Sequence, residues 1–346
     1  MIYQINPISD RRWETFVERH AFSSIFHRSE WLEALRRTHG YTPVVYTTSA
    51  PHEELKNGLA FCAVTSWLTG KRLVSLPFSE HCDVLLDDEG TAPVLLDALS
   101  REQKSGKFRQ IEFRPRRDFP GLETGREPGE NYCFHAIDLA RDEKAIYAGF
   151  HKDCVQRKIK RGDKEGLKYV EGRSLPLLRQ FYDLFVQSRR RLRVPPQPFR
   201  WFQNVAECLG PAMRVRIALH GDQAAAGIIT LEHQKNMVYK WGCADTRLNN
   251  LGGMPWLLWK VIREARERGI TELDLGRSNW ENEGLITFKD RLGGKRSSLN
   301  YWQYPKSTSR KSLLVGRVKR PAGWLLARAP QPVFIAAGRV LYRHFG

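Results

Sequence analysis

VRIALHGDQAAAGIITLEHQKNMVYKWGCA, residues 215–244, followed by PWLLWKVIREARERGITELDLG, residues 255–276, decides the fold. Alternating apolar residues flank His220-Gly221-Asp222, which predicts a hairpin over 215–233. NMVYKWGCA (236–244) supplies a third strand. PWLLWKVIREARERG (255–269) has the period of an amphipathic helix. Leu258, Val261, Ile262 and Ala265 share one stripe, and Arg263, Glu264, Arg266 and Glu267 fall outside it. Pro255 suits the first helical position and Gly269 the stop. ITELDLG (270–276) completes the set as a strand.

The same order occurs earlier in the chain. PVVYTTS (43–49) and GLAFCAV (58–64) read as two strands joined by a polar turn. Residues 94–113 read as a helix with the stripe Leu95, Ala98 and Leu99, a stop at Gly106, and a following strand. The fold class expected is therefore α/β, with two tandem domains, each a mixed sheet flanked by helices. They are assigned to 1–140 and 141–305, with a tail over 306–346. Residues 142–172 predict a basic helix ending near Gly166, then a short strand. Residues 175–194 predict a helix with Leu178, Phe181, Tyr182 and Phe185 on one face, and VPPQP (194–198) stops it.

The chain has 346 residues and is 41% hydrophobic, enough for two packed cores. MIYQINPISDRRWETF, the first stretch, lacks the apolar region of a signal peptide. Six cysteines, with no CxxC pair, argue against a disulfide framework or a zinc site and fit a reducing cytoplasm. The net charge is +18, and residues 306–346 hold nine Lys/Arg and no Asp/Glu. KDCVQRKIKRGDK (152–164) and SRRRLR (188–193) concentrate more of the excess. Such a surface implies an anionic partner. The tail alternates apolar clusters with arginines, a pattern suited to an anionic membrane surface. DNA is not among the expected partners.

No GxxxxGK[ST] loop, GxSxG elbow or HExxH motif is present, which leaves chemistry by positioning and electrostatics. In ELDLGRSN (272–279), Asp274 falls at a strand's C-terminal end, where ligand sites of α/β sheets gather. It could take a proton from an attacking nucleophile. Arg277, Ser278 and Asn279 follow in the same place. In VYKWG (238–242), Tyr239 and Trp241 are expected to project together, opposite Lys240, either as core or as an aromatic wall of a substrate cleft. GLITFKDRLGG (284–294) reads as a short apolar strand interrupted by Lys289, then a glycine turn.

Taken in order, the aromatic strand, ARERG, ELDLGRSN and GLITFKDRLGG resemble the second domain of the FemAB-like transferases of the GNAT acyltransferase superfamily. HRSEWLEALRRTHGYTP (27–43) and VSLPFSEHCDVLLDD (74–88) resemble the first domain. The likeness extends to members associated with exopolysaccharide and exosortase (PEP-CTERM) systems, which have similar basic tails. The resemblance implies transfer of an acyl or aminoacyl group to an amine or hydroxyl of an envelope or glycan precursor. Acyl-CoA or aminoacyl-tRNA would be the co-substrate, with no metal and no tightly bound cofactor. It also implies that Lys289 aims an ammonium at the carbonyl oxygen that becomes negative, and that Phe288 anchors its segment in the core. RLNNLGG, with Arg247, Gly252 and Gly253, is a loose version of the family's pyrophosphate loop at a helix start. Arg157, Lys160, Arg161 and Arg190 would bind an anionic donor or glycan phosphate, and His81 and Asp83 would reach the acceptor. The chain departs from the Fem type in lacking a coiled-coil arm. A non-catalytic adaptor docked on membrane is the rival from another class.

Overall fold

The computed structural model describes residues 1–67, 69–122, 127–305 and 323–344. The first half contains β1 (Tyr3–Ile5), α1 (Arg11–Arg19), α2 (Ser29–His39), β2 (Thr42–Thr47), β3 (Asn57–Ser66), β4 (Gly70–Val74), β5 (Leu85–Leu86), α3 (Ala92–Lys104) and β6 (Gln110–Phe113). Then come β7 (Glu127–Asp138), α4 (Glu143–Ala148), α5 (Arg157–Lys164), β8 (Lys168–Gly172), α6 (Leu175–Arg191) and α7 (Phe199–Leu209). The chain continues through β9 (Met213–His220), β10 (Gln223–His233), β11 (Asn236–Ala244), α8 (Gly253–Glu267), β12 (Glu272–Ser278), α9 (Glu283–Arg291), β13 (Lys295–Tyr304) and α10 (Gln331–Tyr342).

Two compact units result. The first comprises Met1–Tyr132 with segments beginning at Leu299 and Arg339. Its strands β1, β2, β3 and β4 are successive antiparallel neighbours. β4 then lies parallel to β6, which α3 makes possible as the crossover. β6 is antiparallel to β13, with Trp302 opposite Phe113. Leu59, Phe61, Leu73, Leu95, Leu99 and Phe113 form much of the core.

The second unit comprises Cys133–Ser298 with a segment ending at Gly338. It repeats the plan: β8, β9, β10 and β11 are antiparallel neighbours, β11 is parallel to β12 across α8, and β12 is antiparallel to β7. Alternation along β10 sends Ile228 into the core beneath α8, while Gly227 faces Phe181 of α6. Gly162 brings α5 onto α8; a Cβ there would lie 2.7 Å from the Trp256 ring.

The two units take their last strands out of order. β7 follows β6 in sequence but pairs with β12, and β13 follows β12 but pairs with β6. The units are therefore discontinuous in sequence, whereas the sequence reading divided the chain contiguously at 140 and 305. Three helices that the sequence reading passed over, α1, α2 and α7, each bury a tryptophan: Trp13, Trp31 and Trp201. α8 begins at Gly253, two residues before Pro255.

Candidate functional site

β11 and β12 are held together only at Asn236–Val238 and Glu272–Asp274. Both strands run on, to Ala244 and Ser278. Each is bulged just past the paired segment. In β11, Ile229 faces Trp241 and Thr230 faces Tyr239, so Lys240 is the extra residue. In β12 the shift falls between Asp274 and Arg277, where Gly276 has a φ of 72°.

The β11 bulge overturns the expectation that Tyr239 and Trp241 share a face, and of the two readings, core or aromatic wall, leaves a packing role for both. Trp241 packs on Phe202, with ring centroids 5.0 Å apart, and donates its Nε1–H to Gln197 at 2.9 Å. Tyr239 packs on the α8 side, 3.9 Å from the Met254 sulfur. A Cβ at Gly242 would fall 1.7 Å from its hydroxyl.

A cavity of about 550 Å³ opens at the start of α8. Gly252 lines it from the cap of α8, Gly253 and Met254 from the helix itself, Lys158 from α5, and Phe288 and Arg291 from α9. Gly252 caps the helix in the left-handed region, at φ 77°. A Cβ there would sit 2.4 Å from the Lys158 carbonyl oxygen, so the close approach of α5 requires glycine. First-turn amides of an α-helix have no intrahelical acceptor, and with the helix dipole they favour anions. Arg247 lies in the preceding turn, exposed and paired with Asp245 at 2.6 Å.

The segment around Lys289 is a helix, not the expected strand. Asn282 caps α9 by accepting the Leu285 N–H, and Gly293 and Gly294 return N–H bonds to Asp290 and Lys289 at its end. The two glycines therefore close a helix. Phe288 is half-buried against the core and borders the cavity. Lys289 points the other way and is only 4% exposed. Its Nζ donates to the carbonyls of Gly276, at 2.8 Å, and Arg277, at 3.1 Å. The ammonium thus grips the β12 bulge. Asp274 is 2% exposed and accepts the Gly276 N–H at 2.5 Å. Ser278 is buried beside this bulge and Asn279 is exposed.

A dyad that sequence reasoning missed sits nearby. His135 of β7 is buried, and its Nε2 lies 3.2 Å from Asp290 Oδ1. Arg296 also engages Asp290 and, by hydrogen bonding to it, holds that carboxyl below its usual range. Burial lowers the His135 pKa, against the pull of Asp290. The partners are 155 residues apart, so no local pattern announces them.

The remaining cations separate. Arg157, Lys160 and Arg161 are exposed on α5, with Arg157 paired to Asp153 and Arg161 to Glu165. Arg190 is occupied elsewhere: its Nη1 donates to the carbonyls of Ala327 and Ala329, and its guanidinium lies over Phe334. In the first unit, the Asp83 carboxylate accepts the N–H groups of Arg116 and Arg117, and His81 is buried edge-on to Phe26. Among the described residues, no three His, Cys, Asp or Glu side chains cluster as metal ligands, and no helix is long and apolar enough to cross a membrane.

Residues 151–289 match the family model of an acetyltransferase (GNAT) domain, which takes in α5, the β11–β12 fork, most of the cavity lining and most of α9. A transferase that moves acyl groups is the class this domain supports. The fold is that of tandem GNAT proteins. FemX superposes with a TM-score of 0.68 at 12% identity, covering 92% of this chain and all of that one. L-PGS from Bacillus licheniformis gives 0.59 at 15% identity, covering 92% of this chain and 98% of that one. A tandem GNAT protein from the clavulanic acid biosynthesis pathway gives 0.53 at 10% identity, covering 88% and 98%. No curated protein matches the chain in sequence.

Proposed function

We propose that the protein moves an acyl group from a CoA-type thioester to an amine or hydroxyl of a cell-envelope or exopolysaccharide precursor. The observation that carries the donor half is the fork between β11 and β12 beside the cavity at the α8 N-terminus. The helix start suits a pyrophosphate, with Lys158 and Arg291 as cations in the wall. Past Val238, β11 leaves the β12 ladder, so an extended donor arm could take backbone hydrogen bonds there. The likeness to exopolysaccharide-associated members supports the acceptor class.

The acceptor's nucleophile attacks the thioester carbonyl, the C–S bond breaks, and the thiolate leaves. The proton lost by the acceptor goes to Asp274 or to the substrate itself. Lys289 enters this reading with its ammonium donating to the carbonyls of Gly276 and Arg277. It sets the shape of the bulge as well as the local positive charge. Titration calorimetry of the full chain with acetyl-CoA at ~150 mM salt tests the donor half. Micromolar binding is expected; no binding at millimolar donor would overturn it.

The second reading uses aminoacyl-tRNA as donor. It is favoured by the sequence resemblance to Fem-type transferases and by exposed Arg157, Lys160 and Arg161 along one short helix. It requires tRNA binding that falls steeply with salt and depends on the aminoacyl group.

A further inference from the structure

α6 ends in a way that displays side chains. Arg193 N–H bonds to Arg190 O and Val194 N–H to Arg189 O, both at 3.0 Å, which is the double bond of a Schellman stop. Glycine usually fills the left-handed position of that motif. Here it is Arg193, at φ 57°, a conformation unfavourable for a residue with a Cβ. Arg191, Leu192, Arg193 and Val194 are all exposed, Leu192 at 58%.

The C-terminal segment is laid beside this turn. Arg190 holds the carbonyls of Ala327 and Ala329. Gly323 fits against Arg193, where a Cβ would come 2.7 Å from the carbonyl oxygen. Trp324 and Leu325 are exposed, Leu325 at 64%, and the Arg328 guanidinium stacks 3.6 Å from the Trp324 ring. Neither stretch carries an acid: residues 184–206 and 306–346 contain no Asp or Glu.

We propose that the face formed by Arg191–Val194 and Trp324–Arg328 docks on the surface of an anionic phospholipid bilayer. Guanidinium groups would meet lipid phosphates, while Leu192, Val194 and Leu325 enter the headgroup boundary and Trp324 sits at that level. A nucleic acid would use the arginines but leave the aliphatic side chains in water, which favours lipid. The inference goes beyond the acyl-transfer reading and does not depend on it.

The test is co-sedimentation of the full chain with phosphatidylcholine vesicles, with or without about 30 mol% phosphatidylglycerol, at ~150 mM salt. Binding is expected only to the anionic vesicles. The pairs Leu192→Ser/Leu325→Ser and Arg191→Gln/Arg193→Gln should each weaken it by about tenfold or more, with acetyl-CoA affinity unchanged. Arg193→Gly relieves the backbone strain, so weaker vesicle binding without a lower Tm separates loss of the surface from loss of the fold. The proposal is overturned if anionic vesicles are not bound or if both pairs bind like the parent. It is equally overturned if the arginine pair loses tRNA binding while keeping vesicle binding, which would mark a nucleic-acid face.

Discussion

Lys289 Nζ lies 2.8 Å from the carbonyl oxygen of Gly276, so a buried ammonium on α9 is tied to the bulge that ends the β11–β12 ladder. Removing it takes a donor from two carbonyls and a positive charge from the fork. Lys289→Met is expected to lower stability by about 1–3 kcal/mol and kcat by about 10²-fold or more. Denaturant melts and steady-state rates check the two parts. A loss of stability with kcat unchanged would confine Lys289 to holding the bulge.

Gly252 and Gly269 have the same φ of 77° and different surroundings. An alanine at 252 meets the Lys158 carbonyl at 2.4 Å, whereas one at 269 meets nothing within 4 Å. Gly269→Ala should cost about 1–2 kcal/mol of backbone strain and leave donor affinity alone. Gly252→Ala should weaken acetyl-CoA binding by about tenfold, because α5 must move away from the helix start. Calorimetry on the pair tells strain from site disruption.

Acid stability should report on Glu264. Burial raises its pKa, but the hydrogen bond and charge of Arg216, with help from Tyr169 and Arg268, bring it down to about 2 from an ordinary 4.5. The folded value is depressed, so its stabilisation is fully present above 4.5 and is lost as pH falls toward 2. The contribution is on the order of 3 kcal/mol. Urea unfolding across that window should show a shallower pH dependence for Glu264→Gln.

Arg190 was expected at the substrate and is found holding Ala327 and Ala329. Arg190→Ala should expose the bond after Arg328 to trypsin several-fold faster, with acceptor KM and donor affinity unchanged. A raised acceptor KM with unaltered proteolysis would return it to the substrate side.

The sheet plan was legible because the hairpin at 221–222 and the stripe of α8 are local patterns. The fork was not, since neither bulge changes the residue pattern that marks a strand. α9 was misread for a related reason. Leu285, Ile286, Thr287 and Phe288 favour a strand, and the deciding signals are the Asn282 cap and the Gly293 stop. α7 did carry a readable stripe in Trp201, Phe202, Val205 and Leu209. Of the expected site residues, Phe288, Gly252 and Gly253 meet at one cavity. Lys158 and Arg291 joined them unforeseen, because only the packing of α5 and α9 selects two cations from so basic a chain.

The displaced closing strands have a consequence for synthesis on the ribosome. β6 emerges early, yet its partner residues in β13, Trp302–Tyr304, are made near the end of the chain. Until then the free edge of β6 offers unpaired N–H and C=O groups. β7 is the next strand to appear and belongs to another ladder. The order of translation therefore sets a competition between a nearby wrong pairing and a distant right one. A nascent chain stalled before residue 299 has no β13 to lay beside β6, which makes the interval between β6 and β13 the time when a chaperone matters most.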